Sequence, residues 1–442
     1  MTRLFEVNVD SLIGPTHHFG GLAYGDLASM AHSGERSNPR KAAIQGLEKM
    51  KRVWALGVGQ LILPPHRRPD FLALSAAGFS GQKEAVLSAA YKKDPYLLSV
   101  CSSSSFMWMA NAALVTPVTD GRKGCLDITP ANLVTHAHRR LESEQTKKLL
   151  RGVFDGVPDV CVHDAISHEY PDEGAANHIR FSGPDRDVGV HLFVFGGPMS
   201  SDSPGDFPIR QSQEAVDYLV DRHGLEKSAV VMACQNDEVV QEGVFHNDVI
   251  STGHRNFFLC HERAFDGTAT VISQISQKLE ARCGVPLIDV MISDAEFPVS
   301  DAVASYFFNS QIVTREDGSF VMLLPEKCRD FPKVPDLLRK IEAKDPRFSD
   351  FQFIDLSESM NNGGGPACLR LRMPVTSTQF DQIPSQFKFD DDRFHKLVEL
   401  VSKVYPEQMS VSDLADPRIF AQVEASHEAL DTCFGLELGS KI

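Results

Sequence analysis

The sequence predicts an α/β protein with strands along its whole length and a helical C-terminal segment. Three observations carry this. Nine short apolar or alternating runs are scattered from FEVNV (5–9) to CLRLRMPV (368–375), helix-period patterns lie between several of them, and after Phe389 the pattern turns mainly helical. FEVNV opens the chain as a strand. A helix is expected over Arg40 to Leu56, because Ser37 or Asn38 can cap it, Pro39 suits its first turn and Gly57 ends it. QLILPP (60–65) reads as the next strand and Thr146 to Val153 as the next helix. VGVHLFVFG (188–196) is a strand followed by a loop at 197–208, rich in Ser, Asp, Gly and Pro, which reads as a surface connection or a flap beside Arg210. Gln211 to Arg222 is helical, with Gly224 just beyond its end.

Strands AVVMACQ (229–235) and RNFFLCHE (255–262) come next, then a helix over Thr268 to Ala281 and the strand PLIDVMI (286–292). A hairpin joins Gln311–Arg315 to Ser319–Leu324 across Asp317-Gly318, a dipeptide that tolerates the positive φ of a tight turn. FQFIDL (351–356) and CLRLRMPV are the last strands, and the tail reads as helices over Asp391 to Val404 and Pro417 to Cys433, with a short piece capped at Ser410 or Ser412 between them. No long linker divides the chain. A single domain over 1–442 is expected, with 390–442 as a helical closing segment, although periodicity is too weak to establish internal repeats.

A net charge of −15 argues against a nucleic-acid partner, which would need a concentrated basic surface. No run approaches the roughly 20 apolar residues of a membrane span, and the amino terminus lacks a basic region followed by an apolar stretch. A cytoplasmic protein with a small-molecule partner is expected. The nine cysteines stand singly, with no CxxC pair, so neither a disulfide framework nor a zinc site is suggested by their spacing. Cys234 and Cys260 sit inside apolar strands as small core residues.

Cys368 differs. In NNGGGPACLR (361–370), three glycines allow close backbone approach and Pro366 stiffens the last step before the sulfur, which is how a chain presents a nucleophile. Strand alternation would then put Cys368, Arg370 and Arg372 on one face and Leu369, Leu371 and Met373 on the other. A cysteine nucleophile needs a base and a group to deliver water. Among sixteen histidines, His246 in GVFHNDVI has the most telling context, because Asp248 shares its face if the segment is extended. Glu173, in PDEGAANH, is a second acid beside small residues. Cysteine, histidine and two carboxylates suit a guanidinium: the carboxylates hold its fork of N–H donors while sulfur approaches the central carbon, and the cation favours the thiolate. Cys368 would add to that carbon, and His246 would protonate the departing ammonia and then activate water.

At these residues the chain resembles the succinylarginine dihydrolase family of guanidino-group-modifying enzymes. The matching segments run in order: GPTHHFGGLAYGDLAS (14–29), SNPRKAAIQGLEKMK (37–51), MWMANAA (107–113), DEGAANH (172–178), GVFHNDVI (243–250), SDAVASYFFNSQ (300–311) and SMNNGGGPACLRLR (359–372). The resemblance implies a pentein-type five-bladed α/β propeller of pseudo-fivefold ββαβ repeats with its site at the central channel. It implies hydrolysis of N2-succinylarginine with two waters to N2-succinylornithine, two ammonia and CO2 in arginine catabolism, by a cytoplasmic homodimer that uses no cofactor or metal. Carried over by motif, Cys368 is the nucleophile and Glu173 and His246 the acid/base residues. Substrate contacts fall on Gly20, Gly21, Leu22, Ala23, Tyr24, Gly25, Asp26, Leu27, Ala28 and Ser29, and on Asn111, His138, Arg139, Arg210, Asp248 and Asn362. Arg139 and Arg210 suit the two carboxylates of the substrate. Asn111 stands where simpler deiminases place an acid, and an amide there can also hold a neutral urea.

Three rival readings stand beside this one. They are a metal-dependent amidinohydrolase, suggested by HAH at 136–138 and by the acid and histidine of DEGAANH; a non-catalytic arginine-derivative binding protein; and a deiminase that stops after one ammonia.

Overall fold

The computed structural model describes residues 4–184, 188–196 and 207–436, so most of the loop at 197–208 lies outside the described residues. Among them are fifteen strands: β1 (Phe5–Ser11), β2 (Gly59–Leu63), β3 (Ala113–Thr116), β4 (Leu126–Pro130), β5 (Val160–Val162), β6 (His178–Ser182), β7 (Gly189–Phe195), β8 (Val230–Cys234), β9 (Ser251–His254), β10 (Phe257–His261), β11 (Ile288–Ile292), β12 (Gln311–Thr314), β13 (Phe320–Pro325), β14 (Phe348–Ile354) and β15 (Arg370–Val375). They form five three-stranded sheets, ordered β15-β1-β2, β3-β4-β5, β6-β7-β8, β9-β10-β11 and β12-β13-β14. Every sheet has one plan: its first two strands are antiparallel and its last two parallel. A parallel pair needs a crossover, and a helix supplies it each time, over Pro39–Ala55, Ser143–Phe154, Gln213–His223, Thr268–Cys283 and Val334–Lys344. This is the five-bladed α/β propeller that the resemblance implies. Its first blade is closed by the far end of the chain, where β15 pairs with β1.

Local chemistry explains the crossover helices. Asn38 caps the first by accepting from the Lys41 N–H, Pro39 occupies the opening turn, and Ala42, Ala43, Leu47, Met50 and Val53 make its buried face. In the fourth, Val271, Ile275 and Leu279 recur every four residues and join the core between the third and fourth sheets. Gly224 ends the third in a left-handed conformation at φ 66°, which a side chain would disfavour. The tail follows the expected pattern, with helices at Asp391–Val404 and Pro417–Phe434.

The structure also departs from the sequence reading. Helices at Phe71–Ala76, Lys83–Lys93 and Pro95–Ser102 intervene between β2 and β3, and their apolar faces share a cluster with Phe420 and Val423 of the last helix. Cys368 is not the first residue of a strand: it sits in a turn where the Leu369 N–H bonds to the Gly365 carbonyl, and β15 begins at Arg370. The alternation holds beyond it, with Leu369, Leu371 and Met373 in the core while Arg370 and Arg372 line a central cavity of about 80 Å³.

The first strands of the blades surround that cavity, β15 lying against β3, β6 against β9 and β9 against β12. The segments entering these inner strands therefore meet at one mouth of the channel. Each blade delivers a polar residue there: Asn111 two positions before β3, Glu173 five before β6, His246 and Asp248 just before β9, Asn309 two before β12 and Cys368 two before β15.

Candidate active site

Cys368 is buried, and its thiol donates to Asp248 Oδ2 at 3.1 Å while Asn309 Nδ2 donates to the sulfur at 3.1 Å. Asn309 also holds the turn: its Oδ1 accepts the Ala367 and Cys368 N–H groups at 3.2 and 3.3 Å, and its Nδ2 reaches the Asp248 carbonyl at 3.2 Å. The glycines before the cysteine are needed for contact. Gly363 has φ 106°, and a Cβ there would overlap the Asp26 carboxylate, while one at Gly365 would press on Asn309 Oδ1. Burial first, and then the adjacent Asp248 charge, push the Cys368 thiol well above its ordinary range, so it rests protonated.

His246 and Asp248 do not share an extended segment as expected, because His246 caps a 3₁₀ turn over Asn247–Val249. The turn points them at different partners. Asp248 meets the sulfur, and His246 Nε2 lies 2.9 Å from Glu173 Oε2. Arg139 binds the same carboxylate oxygen at 2.5 Å, and Asn111 Nδ2 donates to the Glu173 carbonyl at 3.0 Å. Burial alone would raise the Glu173 carboxyl, but Arg139 and the hydrogen bond from His246 outweigh it and hold it well below the usual range. With Glu173 ionised, the His246 proton resides on Nε2, which leaves the Nδ1 lone pair open. Burial keeps His246 neutral against the pull of Glu173, and it raises Asp248 despite His246 nearby.

The remaining expected contacts divide. Arg210 is buried over the Phe245 ring at 4.8 Å and donates to the Tyr24 carbonyl at 3.0 Å; burial lowers it to about 10. Asp26 caps a short helix by accepting from Ser29 N at 3.1 Å, and burial raises its carboxyl to about 6 against the fields of Arg210 and Arg139. His138 is buried and kept neutral by burial and by Arg139, His136 and Arg210 around it. Asn362 donates to the His18 carbonyl at 3.3 Å. Gly20 and Gly21 pack nearest to Ser99 and Ser33, and Gly25 nearest to Phe207. Leu27 and Ala28 line a separate groove of about 340 Å³ with Tyr306 and Met360. Leu22 packs beside Gly20, and the Ala23 carbonyl accepts from the Asp26 N–H at 3.0 Å.

His136 bonds to the Tyr24 carbonyl and feels the Glu173 charge, and His178 bonds to His191; among the described residues these histidines form no ligand cluster with Glu173. Asn309 was missed. Its signal was present: it lies two residues before the strand of a recognised hairpin, the same offset that Cys368 and Asn111 have from their strands.

Several buried polar atoms at the mouth lack partners. Glu173 Oε1, Asp248 Oδ1 and His246 Nδ1 are buried with no hydrogen-bond partner, and so are Arg139 Nε and Nη2 and Arg210 Nε. Leaving such groups unmet is costly in a folded protein unless a ligand completes them.

The family model described as succinylarginine dihydrolase matches residues 3–440. The chain belongs to that family. Among succinylarginine dihydrolases, the N-succinylarginine dihydrolase of Burkholderia ambifaria is 41% identical over 434 residues, covering 96% of each chain, and that of Hahella chejuensis is 40% identical over 443 residues, covering 99% of this chain and 98% of its own. The fold is shared with the N-terminal domain of ArgZ, an arginine dihydrolase from cyanobacteria, at TM-score 0.51 and 14% identity over 83% of this chain and 97% of that domain. No helix among the described residues is long and apolar enough to cross a membrane.

Proposed function

We propose that this succinylarginine dihydrolase family member hydrolyses N2-succinylarginine with two waters to N2-succinylornithine, two ammonia and CO2. The observation that carries the reading is the set of unmet buried groups. Two carboxylate oxygens, on Glu173 and on the Asp248 that meets the cysteine, await N–H donors, and arginine N–H groups await anions. Their complement is one guanidinium and carboxylates on one molecule.

In this reading the substrate cation reverses the electrostatics at sulfur. Asp248 opposes thiolate formation in the free protein, and a guanidinium held between Asp248 and Glu173 neutralises that opposition. Cys368 Sγ then bonds to the guanidinium carbon, and the proton reaches the leaving nitrogen by way of the open His246 Nδ1, so ammonia departs. Water activated by His246 releases the sulfur and leaves a ureido group. The same steps on that group expel the second ammonia and leave a carbamate, whose C–N bond then breaks to give the free amine and CO2. Asn111 beside Glu173 can both donate to and accept from the neutral ureido group, and so retains it for the second round. We read the chain as one domain, acting in the cytoplasm as a homodimer, which size measurement in solution tests.

The first experiment is the ratio of ammonia released to N2-succinylarginine consumed, with Cys368→Ser and free arginine as controls. A ratio near two, an inactive variant and little turnover of arginine support the proposal. A ratio near one makes the protein a deiminase, and activity in the variant overturns covalent catalysis. For the second round, Asn111→Asp should release a ureido intermediate; an unchanged ratio with none released removes that role.

A further inference from the structure

The second sheet brings three metal-ligand side chains together, with a histidine bonded to one of them, in a cluster that their spacing along the chain hides. β4 and β5 are parallel and in register at Asp127 and Cys161, so these two side chains share a face. Cys125 lies two residues before Asp127 and His163 two residues after Cys161, which keeps all four on that face. One ligand atom each from Cys125, Asp127 and Cys161 lies within 4.8 Å of the other two, and the Cys125 thiol contacts Asp127 Oδ1 at 3.5 Å.

A second observation is independent of this clustering. The Asp127 side chain is fully buried, its Oδ1 accepts from His163 Nε2 at 2.6 Å, and its Oδ2 has no hydrogen-bond partner. A buried carboxylate fixed by an imidazole on one oxygen and open on the other has the arrangement in which a metal takes the open oxygen while the histidine orients it.

We propose that Cys125, Cys161 and the Asp127 carboxylate bind a thiophilic divalent cation of the zinc class, with His163 as the positioning residue and solvent completing a tetrahedron beside the half-buried Cys161. Binding replaces two S–H bonds by two metal–sulfur bonds and releases two protons, with no change of oxidation state. The site ties β4 to β5 in the blade that also carries Asn111 and Arg139, and it is separate from the cysteine proposed to be the nucleophile.

The test uses full-length protein carrying Cys368→Ser, reduced and stripped with chelator, then titrated with Co²⁺ and displaced by Zn²⁺. The expected result is about one equivalent of Co²⁺ per chain with a sulfur-to-metal charge-transfer band that Zn²⁺ abolishes. The band should vanish in Cys125→Ser and Cys161→Ser, and affinity should fall by about tenfold or more in His163→Ala. No thiolate band, or a band that survives both cysteine substitutions, overturns the site. In case a substitution unfolds the blade, alkylation of the unsubstituted protein gives a second readout: Zn²⁺ should protect Cys125 and Cys161, and unchanged labelling of both refutes the proposal. A Cys125–Cys161 disulfide formed in air, with no metal bound after reduction, also refutes it and marks a redox pair instead.

Discussion

Two buried places in the molecule are built from the same three kinds of side chain, a carboxylate shared by an arginine and a histidine. In one, Asp120 accepts from Arg180 at 2.5 and 3.1 Å, from His191 at 2.8 Å and from the Gly189 N–H at 2.9 Å, and His191 in turn bonds to His178 at 2.9 Å. In the other, Glu173 gathers Arg139 and His246 on a single oxygen and leaves its second oxygen, the outer histidine nitrogen and two arginine nitrogens unmet. Both carboxylates are held ionised against burial by their partners. Residue type and charge state do not tell the pairs apart; residual bonding capacity does. The satisfied triad fastens the third sheet to the loop before Gly121, and the unsatisfied one faces the channel mouth.

Substitutions can sharpen or break this contrast. The largest effect is expected from Cys368→Ser, which should lower kcat by more than about ten-thousand-fold with thermal unfolding little changed; residual turnover near wild type would remove the nucleophile. Glu173→Gln should cost about a hundred- to ten-thousand-fold in kcat/KM, whereas Asp120→Asn should cost about 3–5 kcal/mol in denaturant unfolding and leave kcat per folded molecule unchanged. If the two variants exchange outcomes, the distinction between used and unused capacity fails. Asn309→Ala should slow turnover about ten- to a hundredfold and shift the alkaline side of the pH profile, because the sulfur loses a donor while Asp248 stays. A rate loss with an unmoved profile would make Asn309 a purely structural strut.

The smallest effect per group is on acid stability. Burial first, and then neighbouring charges, lower His17 to about 4 and both His136 and His427 to about 3, while burial holds His191 and His246 below their ordinary value against the pull of Asp120 and Glu173. Below about pH 6.5 the unfolded chain takes up protons that the folded one refuses, so each such histidine removes about 1.4 kcal/mol per pH unit down to its folded value. Asp26 and Asp172, both raised by burial to about 6, act in the opposite direction between about pH 4 and 6 but are outnumbered. Unfolding free energy measured from pH 7 to 4 should therefore fall steadily, and a rise would contradict the neutral histidines.

Much of this was readable from sequence because local chemistry fixed it. The hairpin at Asp317-Gly318 is β12 and β13, Asn38 and Gly224 mark real helix ends, and the glycine run before Cys368 is needed for packing against Asp26 and Asn309. The second blade was readable in its crossover helix but not in its strands. Its strands β3, β4 and β5 are four, five and three residues long, too short to show a period, and the helices before them bury their faces against the distant last helix. Isolated β6 and β9 failed for the same reason. Proximity between distant segments, such as Asn309 to Cys368 across blades or Cys125 to Cys161 within one sheet, arises from ring closure and strand register, which no spacing rule along one segment can express.

The closing strand β15 joins the beginning of the chain to nearly its end, and it carries the candidate nucleophile on its leading turn. Four sheets therefore precede Cys368 in vectorial synthesis, and the last strand of the ring and the candidate nucleophile are set in place by one pairing event. Closure thus couples completeness to function: a chain truncated before β15 lacks both the last strand of the ring and the group proposed to act on substrate.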